Sequence, residues 1–229
     1  MLKNYAAKSA LFVPVCSGGM EIAMETVSVT RKTTESEMTL KLSAPPLAQD
    51  YRKKIDTPLI FLNHMIEHIA WRSGFNIETS VKLDKFFLAH VICEDLGIAL
   101  GRAAAEYIAR RTDDGINSYG FGIGIIDEAK AECVMSFESR SYFDFTSKVS
   151  IPDEAEDMHA EDLRVFLDGF AQGARATVHI DVEKGENSHH IWEAVYRAFG
   201  IALGETLREN PEKRGRTSGV AGKIGFVVE

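Results

Sequence analysis

Residues 187–194 read NSHHIWEA, and residues 90–94 read HVICE. In each stretch a histidine stands four residues before a glutamate, as His189 before Glu193 and as His90 before Glu94. Residues four apart share one face of a helix, so each pair can present an imidazole and a carboxylate together. The two pairs are 99 residues apart, and each begins a long segment with apolar residues at helical spacing. The repeat indicates an internal duplication.

Each half of the chain repeats the order strand, strand, helix, strand, helix around its histidine–glutamate pair. Helical spacing of apolar residues predicts helices at Leu59–Arg72, 90–109, 163–173 and 189–209, the last capped by Ser188. Alternating apolar residues predict strands near 27–29, 38–42 and 77–83, and again at 133–137, 142–149 and 178–182, with 142–149 as the partner of 133–137. The predicted fold is therefore α+β, a tandem duplication of two similar half-domains, each a mostly antiparallel sheet packed against helices. We divide the chain into an N-terminal extension (1–22), two half-domains (23–112 and 113–212) and a C-terminal tail (213–229).

Composition excludes several classes of protein. The 229 residues are 45% hydrophobic and carry a formal net charge of −8, which argues against a general nucleic-acid binder. No apolar run approaches the roughly 20 residues that cross a bilayer, and the stretch Ser9–Cys16 lacks the cleavage site of a secretory signal. Three cysteines suit a reducing compartment. We expect a cytoplasmic protein without a membrane or nucleic-acid partner.

The histidines indicate a metal site. His64 precedes His90 by 26 residues, on the preceding predicted helix, and adds an imidazole to the two pairs. Mixed nitrogen and oxygen ligands suit manganese, iron or zinc better than magnesium or calcium. Simpler roles are expected for two other histidines. His68 follows His64 by one helical turn and could approach the same ion, but we expect it to face solvent, and His179 should lie on the polar side of a strand.

Several motifs resemble the imidazoleglycerol-phosphate dehydratase family, over about residues 27–220. They are RKTTES at 31–36, FLNHM at 61–65, HVICED at 90–95, DEA at 127–129 followed by Arg140, and NSHHIWEA at 187–194. The resemblance implies a hydro-lyase of histidine biosynthesis that acts on a small phosphorylated substrate with divalent metal, manganese first. It also implies a cubic homo-oligomer of 24 chains with ions held between subunits.

The resemblance implies roles for individual residues. Glu35 and Glu193 would transfer protons, and Arg140, Arg197 and Arg216 would contact a phosphate. The metal ligands would be His64, His90, Glu94, His189, His190 and Glu193.

Some family ligands are substituted. Val91 and Val165 stand where the family has histidines, and Ser118 stands where it has an arginine. By the family scheme, one ion keeps the four ligands His64, His90, Glu94 and His190, and the other keeps only His189 and Glu193. We therefore expect one retained ion.

Three functions stay open at this point. The chain is a divergent dehydratase with the parent reaction or a related lyase step, a non-catalytic metal- or ligand-binding paralogue, or a structural protein whose histidines are relics.

Overall fold

The computed structural model describes residues 25–85, 87–222 and 224. The predicted extension 1–22 and the stretch Ser9–Cys16 lie outside the described residues. The helices are α1 (Ile60–Ser73), α2 (Ala89–Arg110), α3 (Ala160–Ala174) and α4 (Ser188–Thr206). The strands are β1 (Thr26–Lys32), β2 (Ser36–Ser43), β3 (Asn76–Leu83), β4 (Tyr119–Ile126), β5 (Ala129–Ser136), β6 (Tyr142–Ser147), β7 (Glu154–Ala155), β8 (Met158–His159) and β9 (Thr177–Lys184). The α+β class is confirmed, and the order of elements follows the predicted plan with β4, β7 and β8 added in the second half.

The two main sheets differ in how their strands pair. The first sheet is antiparallel in the order β1-β2-β3. The second has the order β4-β5-β9-β6, in which β6 runs parallel to β9. The prediction that residues 142–149 pair with 133–137 was wrong, because β5 takes β4 and β9 as neighbours and leaves β6 at the far edge. Strand β4 was not predicted from the sequence.

The long helices pack across the two halves of the chain. Helix α2 lies on β1 and β2 and packs along α3, while α4 lies on β4 and β5 and packs along α1. Each histidine–glutamate helix therefore lies beside a short helix from the other half. The buried apolar residues form one cluster that continues across residue 112, where we divided the half-domains. This exchange of helices decides which side chains meet at the site.

Glycines in β4 allow α4 to approach the sheet closely. A Cβ added at Gly122 or Gly124 would lie only 2.3 or 1.9 Å from a carbonyl oxygen of α4. The other face of β4 is apolar and exposed, with Tyr119, Phe121, Ile123 and Ile125 each about half exposed or more. The sheet thus holds α4 on one face and leaves a row of large apolar side chains on the other.

The start of α4 is fixed by Asn187. Its side-chain oxygen accepts a hydrogen bond from the backbone N–H of His190 at 3.2 Å, so Asn187 is the cap and not Ser188. Among the described residues, no helix is long and apolar enough to cross a membrane.

Candidate metal centre

Glu193 lies at the centre of the candidate site. It stands on α4, where that helix packs against both β4 and α1, and its side chain is only 5% exposed. A buried carboxylate is costly unless charged or polar partners surround it. Four side chains supply them: two histidines on α1, one histidine one turn earlier on α4, and one arginine one turn later.

One carboxylate oxygen of Glu193 faces two imidazoles. Its Oε2 lies 3.2 Å from Nε2 of His189 and 3.6 Å from Nε2 of His64. Ligand atoms of these three residues all lie within 4.8 Å of one another, an arrangement that could hold a metal ion. Nitrogen and carboxylate ligands of this kind suit manganese, iron or zinc. This donor set therefore fits the metal that the sequence predicts.

The other oxygen of Glu193 faces a histidine and an arginine. Oε1 lies 3.1 Å from Nε2 of His68, and it accepts a hydrogen bond from Nη2 of Arg197. Burial lowers the pKa of His68 to about 4, so its imidazole is neutral at pH 7. Burial is the largest influence on the pKa of Glu193 and raises it, but the interactions with His68, Arg197 and His64 together outweigh burial and lower that pKa. The site therefore holds an ionised carboxylate.

Two further carboxylates lie behind the imidazoles of α4. Oε1 of Glu156 lies 2.8 Å from Nδ1 of His189, and Oε2 of Glu128 lies 2.9 Å from Nδ1 of His190. A carboxylate that accepts the Nδ1 proton leaves the Nε2 lone pair available to a metal and makes the imidazole more basic. His189 and His190 are thus both oriented so that Nε2 is the atom available to bind a metal ion.

Glu128 also stabilises the start of α4. Its carboxylate accepts hydrogen bonds from the backbone N–H groups of Asn187 and Glu186. The bond from Asn187, followed by that from His190, lowers the pKa of Glu128 to about 2. The bond to Glu128 in turn raises the pKa of His190.

The short hairpin β7–β8 fixes α1 next to α4. Asp157 lies in the turn of this hairpin. Its two carboxylate oxygens accept hydrogen bonds from the backbone N–H groups of Ile60 and Phe61, at the start of α1, at 3.0 Å each. The adjacent Glu156 holds His189, so one turn ties the two helices at the site. Ile60, Phe61, Glu156 and Asp157 also line a depression of about 400 Å³ that opens onto His64 and His189.

His90 and Glu94 lie apart from this cluster. Both are on α2, and the Nδ1 of the exposed His90 lies 3.6 Å from Oδ1 of Asp162 on α3. Among the described residues, neither His90, Glu94 nor His190 belongs to a group of three ligand atoms close enough to share an ion. The grouping of His64 with His90, Glu94 and His190 around an ion between subunits stays a prediction, whereas within this chain His64 lies with His189 and Glu193. The physical reason is that α1 packs on α4 and not on α2.

The other predicted site residues lie in different places. Glu35 is exposed at the turn after β1 and lines a depression of about 220 Å³ together with Val91. Arg140 lines a third depression, of about 270 Å³, with Thr217 and Ser218. Arg216 is exposed beside that loop, and Arg197 donates to Glu193 and to the carbonyl of Ile125.

The structure also adds residues that the sequence analysis did not find. Glu128 and Glu156 lie in turns and carry no spacing signal, although the DEA motif contains the first. His68 was predicted to face solvent, but its side chain is only 17% exposed and contacts Glu193, since α4 covers that face of α1. His179 is half exposed on β9, 3.5 Å from Asp144, as expected of a residue on the polar side of a strand.

These features define a class of protein: an α+β fold of two repeated halves, with a histidine–carboxylate cluster suited to a metal ion where the helices of the halves meet. The model of the family described as imidazoleglycerol-phosphate dehydratase matches residues 57–203. The chain belongs to the imidazoleglycerol-phosphate dehydratase family.

Individual relatives support this membership over most of the chain. The chain is 33% identical over 205 residues to the imidazoleglycerol-phosphate dehydratase of Laribacter hongkongensis, covering 88% of this chain and 99% of that protein. It is 34% identical over 196 residues to that of Methylococcus capsulatus, covering 85% and 94%. The structure of the Pyrococcus furiosus enzyme in complex with (S)-C348 superposes with a TM-score of 0.69 at 28% identity, covering 86% of this chain and all of that one. The Staphylococcus aureus enzyme superposes with a TM-score of 0.67 at 26% identity, covering 81% and 100%.

Proposed function

We propose that the chain is a divergent, metal-dependent dehydratase of histidine biosynthesis that acts on imidazoleglycerol phosphate or on a closely related small phosphate. The observation that carries the proposal is the convergence of His64, His189 and Glu193 around one point. Family membership supports the reaction class, since the relatives named above are imidazoleglycerol-phosphate dehydratases.

The ion of this site is manganese, one per chain, held by His64, His189 and Glu193. A bound divalent ion supplies Lewis acidity and orients the substrate. The protein's part is to keep Glu193 ionised, through Arg197, and to present the Nε2 atoms of His64 and His189. Glu156 holds the proton of His189 on Nδ1.

Proton transfer is assigned to Glu35. Glu193 is buried among its partners and serves as a ligand, whereas the Glu35 carboxylate is exposed and can exchange protons with solvent. Glu35 lines a depression with Val91, at the start of α2. By the family resemblance, in which sites lie between subunits, it would meet substrate held by another chain's cluster. Glu35 would thus transfer protons, and Glu193 would bind the ion.

Phosphate recognition is assigned to the depression around Arg140, which Thr217 and Ser218 also line. The backbone N–H of Phe137, which lines this depression, donates a hydrogen bond to the carbonyl of Ser118. The N–H of Ser118 donates in turn to the carbonyl of Thr206 at the end of α4. Thr206 is 13 residues after Glu193, which is about 20 Å along the helix. A small substrate does not reach across 20 Å, which supports the proposal that the metal of one chain and Arg140 of another form the site together. Arg216 would add positive charge to the same loop.

A homo-oligomer, of 24 chains by the family resemblance, is therefore part of the proposal. The exposed apolar row on β4, centred on Phe121 and Ile123, supports it, because such a continuous apolar surface is typical of an interface. Light scattering should show a large assembly for the wild type and smaller species for Phe121→Glu. A monomeric wild type with normal activity would contradict an active site shared between chains.

The activity is tested with metal-free protein. Imidazoleglycerol phosphate is supplied with and without manganese, and the dehydration product is measured. We expect turnover only with manganese, and Glu193→Gln should lose it at least 100-fold, while His179→Gln, at an exposed position on β9, should keep it. Turnover without any divalent ion would refute a metal-dependent reaction.

A non-catalytic paralogue that binds metal or a small phosphate is the second candidate. Ser118 favours it, because this position is buried, with its hydroxyl bonded to the carbonyl of Ile116, and offers no cation to a phosphate. Metal binding without turnover of imidazoleglycerol phosphate would select this candidate.

A cytoplasmic location completes the proposal. Cys93 and Cys133 are buried free thiols, which suits a reducing compartment. Secretion of the full chain from its host would contradict this part.

A further inference from the structure

Asp95 is a buried carboxylate on α2, where that helix packs against β1 and β2. Its side chain is only 2% exposed. Its Oδ2 accepts a hydrogen bond from the hydroxyl of Ser36 at 3.0 Å, and its Oδ1 accepts one from Nε of Arg31. Arg31 lies at the end of β1 and Ser36 at the start of β2. Asp95 therefore binds both sides of the turn that joins these strands.

Glu35 lies in this same turn, and its backbone is held by hydrogen bonds. The hydroxyl of Thr33 accepts the backbone N–H groups of Glu35 and Ser36 at 3.1 Å each, and it lies 3.3 Å from the hydroxyl of Ser36. The backbone N–H of Thr33 donates to the carbonyl of Ser36 at 2.9 Å. Hydroxyl-to-backbone bonds of this kind close a tight turn. Hydrogen bonds therefore lead from the buried carboxylate of Asp95, through Ser36, to the backbone of Glu35.

The carboxylate of Glu35 depends on this backbone for its position. Within the part of the chain that the structure describes, no side chain or backbone group donates a hydrogen bond to it or forms an ion pair with it. Its depression of about 220 Å³ has the apolar side chains of Leu83, Leu88 and Val91 in its walls, which offer no hydrogen bond. The direction of the Glu35 side chain is therefore set by the turn and by what holds the turn.

The bond between Asp95 and Arg31 is better suited to fixing geometry than to stabilising the fold. Removing a charge from water offsets most of the attraction in a buried ion pair, so such pairs add little to stability. A charged acceptor with two donors nevertheless restricts their orientation strongly. Val91, one helical turn before Asp95, lines the depression of Glu35. The helix that anchors the turn thus also forms part of the depression.

We propose that Asp95 is a positioning residue for the proton transfer carried out by Glu35. By holding Ser36 and Arg31, it fixes the turn so that the Glu35 carboxylate stays in place at its depression. The inference rests on the role that the proposed function gives to Glu35, and it extends that role to a second residue that does not touch the substrate. A reacting group displaced by about 1 Å loses about 100-fold in rate.

The test measures kcat and KM for imidazoleglycerol phosphate with the full chain and saturating Mn²⁺. Asp95→Asn keeps the size of the side chain, but it leaves either Ser36 or Arg31 facing an amide N–H₂ group. We expect kcat to fall about 10- to 100-fold, with KM within about threefold of the wild type. Glu37→Gln is the matched control, because Glu37 forms an ion pair with Lys32 beside the same turn. Its kcat should stay within about twofold of the wild type.

Variants of Ser36 separate positioning from a general loss of structure. Ser36→Ala should lower kcat with little change in KM, whereas Ser36→Thr keeps the hydroxyl and should stay within about threefold of the wild type. The double variant Asp95→Asn/Ser36→Ala should be about as slow as Asp95→Asn alone, because both changes interrupt one chain of hydrogen bonds. Two independent effects on the structure would instead multiply.

Each other outcome has a definite meaning. A wild-type kcat in Asp95→Asn or in Ser36→Ala overturns the proposal, and so do losses that multiply in the double variant. If Asp95→Asn does not fold, the two Ser36 variants decide alone, and equal kcat values for them overturn the proposal. Glu35→Gln is measured in parallel. A wild-type kcat in Glu35→Gln, or a wild type without turnover, overturns the proposed function together with this inference, whereas the preceding outcomes leave that function standing.

Discussion

Replacing Glu156 tests whether the cluster is built to bind a cation. This carboxylate lies 2.8 Å from Nδ1 of His189, on the side of the ring away from Glu193. Two variants separate its two contributions. Glu156→Gln keeps an oxygen that can accept the Nδ1 proton and removes the negative charge, whereas Glu156→Ala removes both.

The size of the effect follows from the distance across the ring. The hydrogen bond, the ring and a metal–nitrogen bond together place the Glu156 charge about 7 Å from the ion. A divalent ion at that distance is attracted by about 1.2 kcal/mol even at the dielectric constant of water, which is close to tenfold in Kd. Glu156 is half exposed, so the solvent value applies. We expect about a tenfold rise in Kd for Glu156→Gln. Glu156→Ala should raise the Kd by up to about a hundredfold, because it also removes the hydrogen bond that keeps the proton of His189 on Nδ1.

The assay is a Mn²⁺ titration of apo-protein followed by isothermal calorimetry. Glu154→Gln is the matched control, because Glu154 is an exposed glutamate of the same hairpin, paired with His159 on β8. Equal affinities for the wild type, both Glu156 variants and the control would show that His189 is not a ligand, and the reasoning would fail.

Three further predictions concern stability and reactivity. Asp157→Ala should lower the free energy of unfolding by about 1–2 kcal/mol, since both oxygens of the carboxylate cap α1; urea unfolding measures this, and no change would contradict the cap. In a Cys16→Ser background, Cys93 and Cys133 should react with a thiol reagent only on unfolding, because burial raises both pKa values; rapid reaction of the native protein would contradict their burial. A hydrogen bond from Lys54 lowers the pKa of Glu78. This ion pair should stabilise the folded protein by less than about 1 kcal/mol after screening by solvent. The stabilisation is present at pH values above the ordinary glutamate pKa and is lost as the pH falls through the lowered pKa. Glu78→Gln should therefore weaken the acid dependence of stability, and an unaltered dependence would count against this ion pair.

The helices could be predicted from the sequence because their apolar spacing is local. Residues 59–72 and 90–109 became α1 and α2 within a residue of the expected ends. The fourth helix ends at Thr206 and not at Glu209, and its cap moves from Ser188 to Asn187. Ends are set by individual hydrogen bonds, which a periodic pattern does not encode.

Strand β4 escaped prediction for a physical reason. Its inward positions are glycines such as Gly122, because α4 lies too close for a side chain, and its outward positions are large apolar residues such as Phe121. The large apolar residues of β4 therefore lie on the exposed face of the sheet and not on the buried one, and repeated glycine is typical of a turn. The non-local pairing of β6 with β9 has no signal in either strand alone.

Part of the geometry within the chain could be predicted from the sequence. The spacing of His189 and Glu193 places them on one helical face, and the structure brings them within 3.2 Å. That His64 joins this pair, and not His90, depends on the packing of α1 against α4. The carboxylates of Glu128 and Glu156 come from turns, so only the folded chain shows them beside the histidines.

The central claim is tested most directly by one titration of apo-protein with Mn²⁺, in which bound metal and turnover of imidazoleglycerol phosphate are measured in the same samples. We predict that turnover rises in proportion to bound metal and saturates at one ion per chain. Saturation of binding with no turnover, or turnover that is independent of bound metal, would contradict the claim that this cluster is the metal centre of a dehydratase.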